Sequence, residues 1–411
     1  MKRGLGQYFV IAFLFLWMLQ FFSYVNLDLT SYGRFTRIIC LFVFLFIFAH
    51  IYAVKKLLPM YPSGKFVALF IILPFATAIS CYIEHGQSIF TSINAMFPHL
   101  ILCIYFYFIL KNSQTDKLIN IIIIYAIIRT IITGIEQITY PNVLFAFRMD
   151  TYDENGFHPL EIRSGFYRFL ISDAYYLPVF SGFYSFSKLL ERFNKKHLII
   201  FLICAFGVYM DQTRQVIFSF VVCLALLPIL KRGKHILRYL LVVVLVISVL
   251  YSYSDILFGE LMEKTSAQMD DTDIRLISYM YYFNNTGSFV STLFGNGFNG
   301  SLASEYGREI SRLQDMGLYR CDIGIVGGIH LLGYVFVSFF IFYYLFVVLR
   351  NWKHIDTFLQ MMLISILCNI PLIFPLYNFT LASIEFFMGI LFYLIDRSII
   401  KNKTVWYGIK K

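Results

Sequence analysis

The residues best suited to chemistry in this sequence are arginines at the ends of apolar runs. The stretch Tyr209-Met-Asp-Gln-Thr-Arg214-Gln joins two short apolar runs with no loop residues to spare. The two runs must turn sharply, and Arg214 begins the second. The first turn of a helix has unpaired N–H groups and the positive end of the helix dipole, both of which favour an anion. A guanidinium fork matches phosphate geometry and keeps its charge where water is scarce. Two readings stand: Arg214 contributes to an anion site, or Asp211, three residues earlier, pairs with it structurally. Arg148, Arg163, Arg168, Arg275 and Arg320 add further forked donors. Two readings stand here as well: they are solvated loop charges, or their preference over lysine points to a phosphate or carboxylate ligand on the outer face. Tyr319-Arg320-Cys321-Asp322 brings a carboxylate to the mouth of a later apolar run. Asp322 is there either a helix N-cap or a base that orients an acceptor group.

Membrane spans must position these residues. The chain has 411 residues, 59% hydrophobic, 19% aromatic and 14% charged, with a mean hydropathy of +0.71. Soluble domains carry about 25% charged residues. A soluble globular enzyme and a disordered chain are therefore excluded. The apolar runs are continuous rather than alternating, which argues against a β-barrel. The net charge of +10 reads as basic cytoplasmic loops rather than nucleic-acid binding. Lys2 and Arg3 precede a long apolar run without a small-residue cleavage site, so the run reads as a retained first span.

The fold class expected is all-α, a polytopic membrane protein of about 12 helices. The runs lie at roughly 8–25, 36–54, 66–83, 93–110, 118–138, 166–187, 197–211, 215–230, 236–254, 322–349, 357–374 and 379–396. With the N-terminus in the cytoplasm, cytoplasmic segments hold about two thirds of the basic and about one sixth of the acidic residues, as the positive-inside rule requires. Asp396 falls among those cytoplasmic acids. Both termini are then cytoplasmic. One transmembrane domain covers 1–411, with a smaller extracytoplasmic loop at 139–165 and a large one at 255–321. Within the large loop, the apolar-aromatic stretch Ile274–Phe283 reads as a short helix on the membrane surface.

Ionisable residues inside spans are costly and mark function or pairing. Arg129 and Glu136, seven apart on one face, read either as an internal ion pair holding helices together or as functional residues. His330 reads as a hydrogen-bonded packing residue. The seven cysteines lack disulfide or zinc spacing and read as buried small hydrophobes, with only Cys321 near a long loop. No cluster of metal-ligand spacing is visible, so no metal and no cofactor are expected.

The ordered pattern over residues 160–350 resembles the bacterial O-antigen polymerase and O-antigen ligase superfamily. Asp211-Gln-Thr-Arg214-Gln stands in place of that family's Thr-x-Ser-Arg-Gly turn. Asp273-Ile-Arg275, followed by Leu293-Phe-Gly295-Asn-Gly297-Phe298, is similar to the family's Arg and then Phe-Gly-x-Gly-Phe. Asp322 ends the long loop, and Gly333 follows inside the next span. Ile162-Arg163-Ser-Gly165-Phe resembles an Arg-x-Gly-Phe segment. Thr213 and Gln215 depart from the pattern around the key arginine. Asp322 stands where ligases of the family carry a histidine, which favours a polymerase.

The resemblance implies a GT-C-like membrane glycosyltransferase in the bacterial cytoplasmic (inner) membrane. It would join undecaprenyl-pyrophosphate-linked repeat units into O-antigen or capsular polysaccharide, without a metal and with inversion. Arg214 and Arg275 would clamp the pyrophosphate, and Asp322 would orient or deprotonate the acceptor hydroxyl. Arg163, Arg320, Arg168 and Tyr319 are the secondary substrate contacts. Membrane lipid and a chain-length-regulating membrane protein are the implied partners. The alternatives are a ligase and a lipid-linked oligosaccharide flippase. The flippase is disfavoured by the nearly charge-free spans after residue 230, Glu385 excepted.

Overall fold

The computed structural model describes residues 3–18, 29–142, 144–145, 152–153, 156–157, 162–163, 165–167, 175–231, 274–300, 304–376 and 382–406. Helices dominate. In chain order they are α1 (Arg3–Met18), α2 (Leu29–Ala49), α3 (Ile51–Leu57), α4 (Gly64–Ile72), α5 (Pro74–His85), α6 (Ile89–Met96), α7 (Ile104–Lys111) and α8 (Thr115–Thr139). Two short antiparallel ladders follow, β1 (Tyr152–Asp153) with β2 (Gly156–Phe157) and β3 (Ile162–Arg163) with β4 (Phe166–Tyr167). Then come α9 (Tyr176–Glu191), α10 (Lys195–Met210), α11 (Arg214–Lys231), α12 (Ile274–Asn284), α13 (Phe289–Phe294), α14 (Glu305–Asp315), α15 (Gly324–Tyr343), α16 (Thr357–Asn369) and α17 (Ser383–Trp406).

Among the described residues, four helical segments are long and apolar enough to cross a membrane: Gly64–His85, Ile89–Lys111, Thr115–Thr139 and Arg320–Leu349. A fifth candidate is the pair Gly33–Ala49 and Ile51–Met60, bent by 71°. Shorter apolar helices cover Tyr8–Met18, Arg214–Leu226 and Thr357–Asn369. The chain is a helical membrane protein. The expected run at 236–254 lies outside the described residues, as do most of 139–165 and the first part of 255–321.

The chain divides into two compact units, each discontinuous in sequence. One comprises Met1–Asp28, Gln114–Asp270 and Thr357–Cys368. In it, α8 and α10 approach closely where a side chain on Gly207 would collide with Thr130. Small residues of this kind let membrane helices pack without a hydrophobic driving force. The other unit comprises Leu29–Ser113, Asp271–Asp356 and Asn369–Lys411. Its core is aromatic: the Phe70 ring lies 5.5 Å from Phe336, 6.0 Å from Phe392 and 6.2 Å from both Phe340 and Tyr343. Each such pair contributes about 0.5–1.5 kcal/mol beyond area burial.

Several boundaries differ from the sequence expectation. The run at 36–54 is not one straight helix but breaks at His50, the N-cap of α3. The run at 166–187 begins as strand β4, and its helix starts only at Tyr176. Gln137 holds Tyr167 in that strand by accepting from its N–H at 2.9 Å and donating to its carbonyl. Pro178, which has no N–H to give, is tolerated in the first turn of α9 but not in the middle of a longer helix. α17 continues about ten residues past the expected end of the last span. Asp396 is consequently not a solvated loop residue. It is fully buried and accepts from Ser63 N (3.1 Å), Ser63 Oγ (2.7 Å) and the Tyr105 hydroxyl (2.6 Å). Of the seven cysteines, five are buried, Cys368 is half-buried and Cys321 is exposed.

Candidate functional site

The glycine motif and the break in α15 form one assembly. Gly333 takes φ 79° and ψ 166° in the middle of α15. Such a break removes the helical partners of the preceding carbonyls, and unpaired carbonyls inside a membrane protein are costly. The Gly295–Gly297 turn fills the gap. Asn296 N donates to His330 O at 2.8 Å, and Gly297 N donates to Leu331 O at 3.0 Å. The fit excludes side chains at both glycines. A Cβ on Gly295, itself at φ 86°, would lie 2.1 Å from Leu331 O, and one on Gly333 would lie 2.2 Å from Leu293 O. Both glycines belong to the resemblance described above.

Asn296, within the glycine motif, holds this turn together with His85 and Gln87, which the sequence reading did not single out. Asn296 is buried. Its Nδ2 donates to Thr286 O (3.1 Å) and His330 O (3.2 Å), and its Oδ1 accepts from His85 Nε2 (2.9 Å). Gln87 donates to Phe298 O (2.8 Å) and accepts from Gly300 N (3.0 Å) and Ser304 Oγ (2.9 Å). The Gly-Asn-Gly composition signals a turn, but nothing in it points to partners some two hundred residues earlier.

Arg320 sits at the head of the same helix and points inward. It is 2% exposed. Nη1 donates to the Tyr306 hydroxyl and Nη2 to Asn299 Oδ1, each at 2.8 Å. The Tyr306 hydroxyl in turn donates to Gly297 O at 3.3 Å, and its ring stacks on His85 with centroids 3.9 Å apart. Burial pushes the Tyr306 phenol up to about 12, while the Arg320 guanidinium pulls the other way. The phenol is therefore neutral at physiological pH and can both accept and donate. Arg320 organises the turn.

The remaining candidates of this unit lie around the same helix head. Arg275 is half-buried in the first turn of α12, and α12 packs on the turn Arg320–Ile323. Four residues on, the Tyr279 hydroxyl donates to Pro371 O. Burial raises this phenol, and the Arg275 guanidinium lowers it. Tyr319 and Asp322 are exposed. Asp322 is not the N-cap of α15: that position is Ile323, and no side chain caps it. Gly324 takes up the turn instead, with Ile325 N donating to Ile370 O at 3.0 Å.

Arg214 and Arg163 belong to the other unit. Arg214 is half-buried and is the first residue of α11, after a turn in which Gln212 adopts φ 50°. Asp211 holds a bidentate pair with Arg129, with Nη1 at 3.0 Å and Nη2 at 2.8 Å, and both residues are buried. This corrects the expected Arg129–Glu136 pair. Seven residues span roughly 10 Å along a helix, too far for direct contact. Glu136 instead accepts from the backbone N–H groups of Leu144 (2.8 Å) and Phe145. Arg163 pairs with Phe166 in the β3–β4 ladder. Its side chain, and all of Arg168 and Arg148, lie outside the described residues.

One unit thus gathers Arg275, Tyr319, Arg320 and Asp322 around a broken membrane helix, and the other sets Arg214 at a helix start. The first can orient a hydroxyl at its exposed members, Tyr319 and Asp322. The second offers a guanidinium beside helix N–H groups. Among the described residues no three His, Cys, Asp or Glu side chains converge as a metal-binding group. No protein-family model matches the chain, and no curated protein sequence matches it.

Proposed function

We propose that the chain polymerises polyprenyl-pyrophosphate-linked oligosaccharide repeat units at the outer face of the bacterial cytoplasmic membrane, through about twelve spans with both termini cytoplasmic. The observation that carries this reading is the interlock of Gly295 and Gly333. Two motifs that resemble the family pattern, far apart in sequence, are physically one assembly, with Arg320 and Asp322 on the turn that starts the same helix.

The chemistry follows from charge. The acceptor hydroxyl oxygen attacks the anomeric carbon of the lipid-linked chain, and the bond from that carbon to the pyrophosphate oxygen breaks. The electron pair leaves on polyprenyl pyrophosphate. Arg275, in the unit that holds Asp322, is the guanidinium assigned to stabilise that developing charge, which is worth most where water is excluded; Arg214, in the other unit, offers a guanidinium of the same kind. Asp322, exposed at the helix head, takes the hydroxyl proton.

The test is the size profile of surface and lipid-linked glycan in a strain lacking the protein. Single repeat units that still reach the surface, without a ladder, support polymerisation. Long lipid-linked polymer that never reaches its acceptor would indicate a ligase. Repeat units held on the cytoplasmic leaflet would indicate a flippase.

A further inference from the structure

Two helices of the segment that precedes α15 turn opposite kinds of surface outward. Both pack on one apolar cluster that contains Tyr282, Tyr306, Ile310, Leu313 and Ile323. In α14 the outward residues are Glu305, Arg308, Glu309, Arg312 and Asp315, all exposed. In α12 they are Leu276, Ile277, Met280 and Phe283, the last two 59% exposed. The one charge in α12 is Arg275, in its first turn. After the polar stretch 284–288, α13 opens with Phe289, which is 78% exposed. A helix that faces water carries charge on that side, as α14 does. A contiguous exposed apolar face marks a contact with something apolar.

The depth of α13 identifies the contact. Its start is tied to Glu84, whose carboxylate accepts from Ser288 N at 3.2 Å. The turn that follows reaches Gly297, where a Cβ would lie 2.8 Å from Thr77 O. Thr77 precedes His85 by eight residues in α5, roughly 12 Å along the helix. It lies inside the apolar segment Gly64–His85, whose own outward residues include Ile72, Ile79 and Ile83. The chain returns at Gly300, whose N–H binds Gln87 just past the end of α5.

We infer that α12 and α13 are seated in the bilayer as a re-entrant element, with Leu276, Ile277, Met280, Phe283 and Phe289 against lipid acyl chains, while α14 faces water. α12 packs on the broken helix where the Tyr282 ring meets His330 with centroids 4.9 Å apart; α13 starts beside Glu84, and the chain turns at Gly295–Gly297 within the helix break at Gly333 and leaves beside Gln87. The irregular backbone of the turn is tolerated at this depth because protein surrounds it. This inference does not rest on the proposed enzymatic reading.

The test uses full-length protein in phosphatidylcholine–phosphatidylglycerol vesicles, in a background with Cys321→Ser and Cys368→Ser. Nitroxide labels are attached to Met280→Cys, Phe283→Cys and Phe289→Cys, with Arg308→Cys and Ile79→Cys as water and lipid references. Collision rates with oxygen and with a water-soluble nickel chelate are compared. At 280, 283 and 289 oxygen should exceed nickel, as at 79, and at 308 the order should reverse. Nickel dominance at all three would overturn the inference in favour of water. Loss of both collisions with immobilised labels would overturn it in favour of a covering protein. Photolabelling of the unmodified protein by a lipid-dissolved diazirine keeps the test valid if a variant misfolds: label should appear in 274–290, and label absent there but present in Gly64–His85 would contradict it.

Discussion

Gly295 and Gly333 pack backbone against backbone: a Cβ on Gly333 would lie 2.5 Å from Gly295 N, and one on Gly295 would lie 2.7 Å from Gly333 N. A helix break and the turn that repairs it are therefore one structural unit, and each is incomplete without the other.

Gly295→Ala and Gly333→Ala should both lower the melting temperature of the detergent-solubilised protein. Positive φ alone costs a non-glycine residue about 1–3 kcal/mol, and displacement of the facing backbone adds to it. Gly86→Ala is the control, since Gly86 has φ 64° but open space around its Cβ position. It should lose only the strain. Equal losses at all three positions would show that the interlock contributes nothing.

Asn296→Ala should cost about 1–3 kcal/mol, because it leaves half-buried groups of Thr286 and His85 without their partner and takes one of two donors from His330 O. Asn296→Asp should be at least as harmful, since the donors to Thr286 O and His330 O are lost. A thermal scan that shows Asp tolerated would contradict the hydrogen-bond assignment.

The turn at Arg214 was legible because two apolar runs meet there without loop residues, and α11 does start at that arginine. The partner of Asp211 was not legible. Sequence proximity suggested Arg214, whereas the packing of α8 on α10 supplies Arg129. The same limit hid His85, Gln87 and Ser63. Each is a polar residue at or near a span end, and its role depends on which distant segment packs there. The helix start at Tyr176 was obscured because the run at 166–187 is apolar in either conformation.

The Arg129–Asp211 pair is buried, so removing either partner leaves an uncompensated charge at about 3–5 kcal/mol. Arg129→Ala and Asp211→Ala should each reduce folded protein in the membrane strongly, and the double variant should lose less than the two losses combined. Strictly additive losses in a double-mutant cycle would deny the pair.

Arg320 should separate from Arg214 and Arg275 in its phenotype. Arg320→Ala removes donors to Tyr306 and Asn299 and should lower stability and protein level. Arg214→Ala and Arg275→Ala should abolish long-chain product at unchanged protein level. Arg214→Lys should restore little, because a lysine lacks the fork. Normal chain length in both alanine variants would sink the clamp assignment.

Cys321 is exposed and the buried cysteines are not, so a maleimide should label Cys321 first in folded protein. The proposed topology adds that a membrane-impermeant maleimide labels it from outside in spheroplasts. Labelling only after the membrane is opened would invert the topology.

Reconstitution tests the proposed activity most directly. Purified full-length protein in vesicles is given polyprenyl-pyrophosphate-linked repeat unit alone, and the lipid-linked products are sized. The account predicts lipids that carry two or more repeat units, with one free polyprenyl pyrophosphate released per linkage formed and no such product with Arg275→Ala. Repeat units that remain single with folded protein, under conditions where a known polymerase extends them, would contradict it.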